Sequence, residues 1–245
     1  VENRRDRTAN DFYLIKYFDK MKKIRILNIV FDNVIEPYQL SNFRSSIIQS
    51  VGIEHDLFHN HKKNDTYNYR YPLIQYKLFS LHDKIHPIIF CIEEGIEEIN
   101  FLFDNTNLTL KIGNAVENLI VQSVNVKVHN IQVWENNFNY HIHKWQALNP
   151  KSYQRYITLE SEDEKILFLE KNMLKHLYTL LNNFGISLKK KIFLKIKKIK
   201  NLSWISYKGT KILTFSIDFE TNISLPEFIG VGKGISLGFG VIRQR

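Results

Sequence analysis

The chain has 245 residues, a formal net charge of +9 and a single cysteine. That length buries a core as one large domain or two ordinary ones without a disulfide or metal staple, and Cys91, in the apolar run IIFCIEE, reads as a packed thiol of a reducing compartment. No stretch approaches the roughly 20 apolar residues of a spanning helix, and the basic N-terminus lacks a secretory signal, so membrane and export readings drop out and a cytoplasmic protein is expected.

Residues 1–20 are highly charged and read as an extension, with Met21 opening a strand, KKIRILNIVF. Glu36-Pro37 then starts a helix in which Leu40, Phe43, Ile47, Ile48 and Val51 recur at helical spacing, and Gly52 supplies the stop. Strands are predicted at about 71–80 and 86–93, a short helix around 94–103, and strand material from 108 to 133. The order is βαββαβ, a ferredoxin-like (RRM-like) unit.

A further strand, FNYHIHKWQAL, leads into an Asn149-Pro150 breaker, where the domain boundary is predicted, giving domains 21–148 and 149–245. Ser161 and Glu164 form a capping-box pattern, and Ile166, Leu169, Met173, Leu177, Leu180, Leu181 and Phe184 mark one face of a long helix ending at Gly185. Strands follow at about 191–200, 203–207 and 211–220. The expected fold class is therefore α+β, with a second, degenerate α+β half following the ferredoxin-like one.

Charge is distributed unevenly along this plan. Residues 186–245 contain twelve Lys or Arg and three Asp or Glu, which leaves 22 of each sign in residues 1–185. The whole excess sits in the last quarter, the pattern of a chain that meets a polyanion or of one with a solubilising face. Five of the ten glycines fall between Gly230 and Gly240, in IGVGKGISLGFG. Clustered glycine lets a backbone approach a ligand and take positive φ, and Lys233 brings charge to the same place. The stretch is neither a phosphate-binding P-loop nor a dinucleotide fingerprint, because it lacks the G-K-[ST] ending and no helix follows.

Gly230-Val231-Gly232 followed by Gly238-Phe239-Gly240 resembles the C-terminal G-x-G-x-x-x-x-x-G-F-G signature of the Cas6 family of CRISPR-associated endoribonucleases. His59-Asn60-His61, the run Tyr71 to Lys77, and Trp145-Gln146-Ala147-Leu148-Asn149 are also similar to that family. The resemblance implies tandem ferredoxin-like halves and a cofactor-free enzyme that cuts CRISPR repeat RNA. It implies RNA contacts at Gly230, Gly232, Lys233, Gly234, Gly238 and Gly240, and as further partners other CRISPR effector subunits and a second copy of the chain. A noncatalytic RNA-binding subunit of such an assembly is the rival reading.

His55, His59 and His61 lie in the polar segment HDLFHNHKKND, and histidine can take or give a proton near neutral pH. A ribose 2′-hydroxyl needs a base, and the departing 5′-oxygen needs an acid. The resemblance places the base after the first helix, where His61 and His59 stand; Tyr69 is the assisting candidate and Arg70 a phosphate contact. No Cys or carboxylate set completes a metal site around these histidines, so no metal is expected. His141 and His143 share one side of a predicted strand, lining a cleft between the halves or, more simply, an exposed strand face; His176 is assigned no role. In SLKKKIFLKIKKIK, Ile192, Leu194 and Ile196 alternate with Phe193, Lys195 and Lys197, giving an apolar and a basic face. Lys189, Lys190, Lys191, Lys195 and Lys197 are therefore candidate backbone contacts for RNA, or the lysines of an edge strand protected from aggregation.

Overall fold

The computed structural model describes residues 22–59, 71–104, 108–112, 115–188, 190–207 and 209–245. The first sheet has four antiparallel strands, β1 (Lys22–Phe31), β2 (Ile74–Leu81), β3 (Lys84–Ile92) and β6 (Val121–Ile131), in the order β2-β3-β1-β6. A small hairpin, β4 (Thr109–Ile112) with β5 (Ala115–Asn118), precedes β6. Leu27, Ile29 and Phe31 alternate along β1 and bury against Leu40, Phe43, Ile47 and Val51 of α1 (Leu40–Val51). Full burial of each such side chain contributes about 1.5–3 kcal/mol, enough to hold a helix whose own propensity is modest. Gly52, at φ 100, ends α1 by donating its N–H to the Ile48 carbonyl at 3.0 Å.

The β2–β3 turn uses His82 and Asp83, both at positive φ (47° and 61°), the handedness that matches strand twist in a two-residue hairpin. After α1 comes a single helical turn, α2 (Asp56–His59). After β3 the predicted helix is two short ones, α3 (Glu94–Glu98) and α4 (Asn100–Phe103), meeting at Ile99.

The second sheet comprises β7 (Val133–Trp145), β8 (Leu194–Tyr207), β9 (Thr210–Ile223) and β10 (Val241–Gln244), in the order β10-β7-β9-β8. Both sheets thus have the ferredoxin-like order, with the first strand inside and the fourth at an edge. Between β7 and β8 lie α5 (Pro150–Ile157) and α6 (Glu162–Asn183). Ser161 and Glu164 close the predicted capping box, each side chain accepting from the other's backbone N–H at 3.2 Å. Leu169, Met173, Leu177, Leu180 and Leu181 of α6 join Tyr140, Ile142, Phe215, Ile217 and Phe219 of the sheet in one core. Where the second helix of the unit would stand, residues 224–240 run as irregular backbone carrying the glycines.

Sheet membership changes between Ile131 and Val133, earlier than the boundary expected after Leu148. The long strand before Asn149 opens the second sheet, and Asn149-Pro150 starts a helix: the Asn149 side chain accepts the Ser152 N–H at 2.8 Å, and Pro150 occupies the first helical position. The strands expected at 191–200 and 203–207 are one, because irregularities at Ile196/Lys198 and Ile199/Asn201 bend β8 without ending it. The two halves share one core. Ile24, Ile26, Phe90 and Ile92, on the side of the first sheet turned from α1, are continuous with the α6 core. Tyr71 seals the seam, its ring 5.2 Å from that of Phe184 and its N–H donating to Asn183 Oδ1 at 3.2 Å. Cys91 is fully buried, and that burial pushes its thiol up, away from nucleophilic character. Among the described residues no helix is long and apolar enough to cross a membrane.

Candidate functional site

The glycine segment is laid along β2, an edge strand of the first sheet. Tyr76 N–H donates to the Ser236 carbonyl at 3.1 Å, Tyr71 Oη–H donates to the Gly230 carbonyl at 2.8 Å, and Lys77 Nζ donates to the Ile235 carbonyl at 3.1 Å. The run from Tyr71 to Lys77, singled out in the sequence, is therefore the receptor for the glycine segment. Lys77 is fully buried; that burial, with the Arg243 charge second, lowers its amine to about 7.

Much of the glycine requirement is internal. Gly240 adopts φ 61, where a Cβ would overlap the Val231 carbonyl oxygen; Gly232 adopts φ 101 against the Trp145 ring. Gly230 and Gly240 are buried, Gly232 and Gly238 half-buried, and of the expected RNA contacts here Lys233 and Gly234 are exposed. The part of the segment open to a ligand is thus its tip, bridged to Gln146. Beside the tip stands His176, which accepts the Trp145 Nε1–H on Nδ1 at 3.1 Å, so its own proton sits on Nε2. Burial, then the charges of Lys233 and Lys175, lower His176 to about 4 and keep it neutral. Nothing local in the sequence marked this histidine, because its partner lies on a strand 31 residues earlier.

The other side of β2 receives the histidine segment. Tyr76 Oη–H donates to the Phe58 carbonyl at 3.2 Å, and Phe58 is buried in the first core. Next to it, the His59 carbonyl accepts from Arg44 at 2.8 Å, and His59 Nε2 donates to the Ile53 carbonyl at 2.7 Å, which makes Nδ1 the basic nitrogen of the neutral ring. His55 anchors the start of the segment, with Nδ1 2.9 Å from Glu98 Oε1 and its ring 4.0 Å from that of Phe101. The structure brings His59 and the glycine segment to one strand; His61, Tyr69, Arg70 and Lys189 lie outside the described residues.

The basic run behaves as its alternation predicts up to Ile196. Ile192, Leu194 and Ile196 are buried, while Lys190, Lys191, Lys195 and Lys197 are exposed. Lys197 is ion-paired with Glu220, which with the Asn137 hydrogen bond holds that carboxyl below its ordinary range. Sequence reasoning missed the centre of this face, Asp218 on β9, whose signal was an acid between apolar residues in FSIDFE. It is 8 % exposed and accepts from His141 Nδ1 at 2.8 Å, Arg245 at 2.9 Å and Lys200 at 3.4 Å. Burial opposes its charged form, but the His141 hydrogen bond and the two cations outweigh it and hold the carboxyl low. Among the described residues no three or more His, Cys, Asp or Glu side chains are grouped to hold a metal ion.

Residues 22–130 match the family model of the Cas6b N-terminal domain, and residues 132–245 match that of the Cas6b C-terminal domain. An uncharacterised protein of Methanocaldococcus jannaschii is 28% identical over 134 residues, 54% of this chain and 90% of its own length. A crystal structure of Cas6b superposes with a TM-score of 0.79 at 22% identity, over 91% of this chain and 100% of the other. A second, described as the CRISPR RNA processing endoribonuclease Cas6b, gives 0.69 at 19% identity over the same shares. At these identities the structural likeness is one of fold.

Proposed function

The chain belongs to the Cas6b family, and from that premise we propose that it binds CRISPR repeat RNA and cuts the precursor by internal attack, without a metal ion. The ribose 2′-oxygen upstream of the cut bonds to the adjacent phosphorus as the phosphorus–O5′ bond breaks. A base takes the 2′-hydroxyl proton and an acid returns one to O5′, leaving 2′,3′-cyclic phosphate and 5′-hydroxyl ends. His61 and His59 are the base and its partner, with Tyr69 assisting. Arg70, the exposed tip at Lys233-Gly234 and the lysines at the start of β8 hold phosphates, since neutralising them releases counterions.

The observation that carries this reading is the double use of Tyr76. Its N–H binds the glycine segment and its hydroxyl binds the carbonyl preceding His59, so the expected RNA grip and the expected catalyst are fastened to one rigid strand. A dinucleotide or nucleotide-triphosphate reading finds no support, because the glycine segment does not open a helix.

A repeat oligonucleotide carrying deoxyribose immediately upstream of the cut, incubated with the protein in EDTA, tests the reaction. Intact RNA of the same sequence is cut to a cyclic phosphate, whereas the deoxy version survives. Cleavage of both at one rate rules out internal attack, and tight binding of repeat RNA with no cleavage of either makes the protein a binding subunit.

A further inference from the structure

The face of the second sheet turned from α6 carries a charged cluster that the glycine and histidine segments do not use. Asp218 lies at its centre with both oxygens engaged, Oδ1 by His141 and Oδ2 by Lys200 and Arg245. One carboxylate therefore faces two permanent cations and an imidazole, and positive charge is left over. The donors are not exhausted either: a guanidinium has five N–H groups and an ammonium three, and each spends few of them on Asp218. Beside the carboxylate opens a depression of about 320 Å³ whose walls include Asn139, Lys197 and Arg245. The side chains of Lys197, Lys200 and Arg245 remain about 49%, 37% and 51% exposed, within reach of a ligand.

Cations that converge on one point fit one anionic group, whereas a duplex presents two separated rows of phosphates. An acid at the hub fixes where the cations stand, so a phosphate arriving in the depression meets donors already placed. The chain's own surplus of charge lies in this half, and its partner under the reading above is a polyanion. We propose that the depression beside Asp218 seats a single phosphodiester of the RNA strand that continues beyond the cleavage centre, held by Arg245, Lys200 and Lys197. The assignment rests on the protein being an RNA-processing enzyme. It extends the grip of the β8 lysines across the sheet to Lys200 and Arg245, apart from the glycine segment.

Binding is measured by fluorescence anisotropy with repeat RNA blocked by deoxyribose at the cut, over a series of salt concentrations. The Lys200→Gln, Arg245→Gln double variant binds at least tenfold more weakly, and its slope of log K against log salt is shallower by about 0.7, the value for one single-strand phosphate contact. Arg245→Lys, made on the wild type, keeps most of the affinity and serves where the double variant melts early. Wild-type affinity and slope in a folded double variant overturn the seat and leave the enzyme reading intact; failure of the wild type to bind the RNA at all overturns both. Stabilisation of the wild type but not of the double variant by inorganic phosphate, with equal RNA affinities, identifies a free-anion site and also overturns the assignment.

Discussion

Lys77 Nζ donates to the Ile235 carbonyl at 3.1 Å, tying the edge strand of the first sheet to the glycine segment of the second half. The amine is fully buried, held down first by burial and then by Arg243, at about 7 against an ordinary 10.5. Between those values the unfolded chain binds more protons than the folded one, so stability rises with pH across that window and is flat with respect to this group below it. Each pH unit within the window adds at most about 1.4 kcal/mol. Urea unfolding at pH 7, 8 and 9 should show the rise in the wild type and not in Lys77→Met; equal slopes would argue that the amine is charged throughout.

Two glycines separate backbone conformation from packing. Gly185 (φ 64) has open space where a Cβ would go, and Gly240 (φ 61) has the Val231 carbonyl there. Gly185→Ala should therefore cost about 1–2 kcal/mol, the conformational penalty alone. Gly240→Ala should cost about 3–5 kcal/mol, because overlap with backbone adds to that penalty. Denaturant midpoints for the pair check the ordering, and similar costs would mean that the glycine segment shifts easily.

His176 is expected to remain neutral well into acid. Its folded value of about 4 lies below the ordinary 6.5, so the unfolded chain binds more protons between the two and stability falls as pH drops through that interval. The loss attributable to this residue is at most about 3 kcal/mol at the acid end. Imidazole NMR shifts followed from pH 7 to 4 read the titration directly, and His176→Gln should flatten the acid limb of stability. A midpoint near 6.5 would contradict the burial argument.

For catalysis, His61→Ala and His59→Ala should each slow single-turnover cleavage by about 10²- to 10⁴-fold, the usual contribution of a positioned acid or base. Affinity for blocked RNA should change little, since neither ring is asked to hold the strand. Lys233→Ala should do the reverse, weakening binding in a salt-dependent way while bound RNA is still cut. Wild-type rates in both histidine variants would move the catalytic centre elsewhere.

Much of this architecture was legible because its determinants are local. Alternation along KKIRILNIVF specifies β1, helical spacing from Leu40 to Val51 specifies α1, and Ser161 with Glu164 specifies the start of α6; each signal and the structure it encodes lie within a few residues. Where the sequence misled, a local signal was ambiguous. Asn149-Pro150 marks a helix start as well as a linker, and the breaks in alternation after Ile196 mark bulges as well as a strand end.

The sequence by itself determined most of the elements, the first ferredoxin-like unit, the burial of Ile192, Leu194 and Ile196, and the presence of a special backbone between Gly230 and Gly240. Only the tertiary structure decided that most of that backbone packs inward, that Tyr76 joins it to the segment of His59, and that His141, Lys200 and Arg245 gather around Asp218. The physical reason is range: periodicity and caps act between residues a few positions apart, whereas strand order brings together side chains that no pattern along the chain connects.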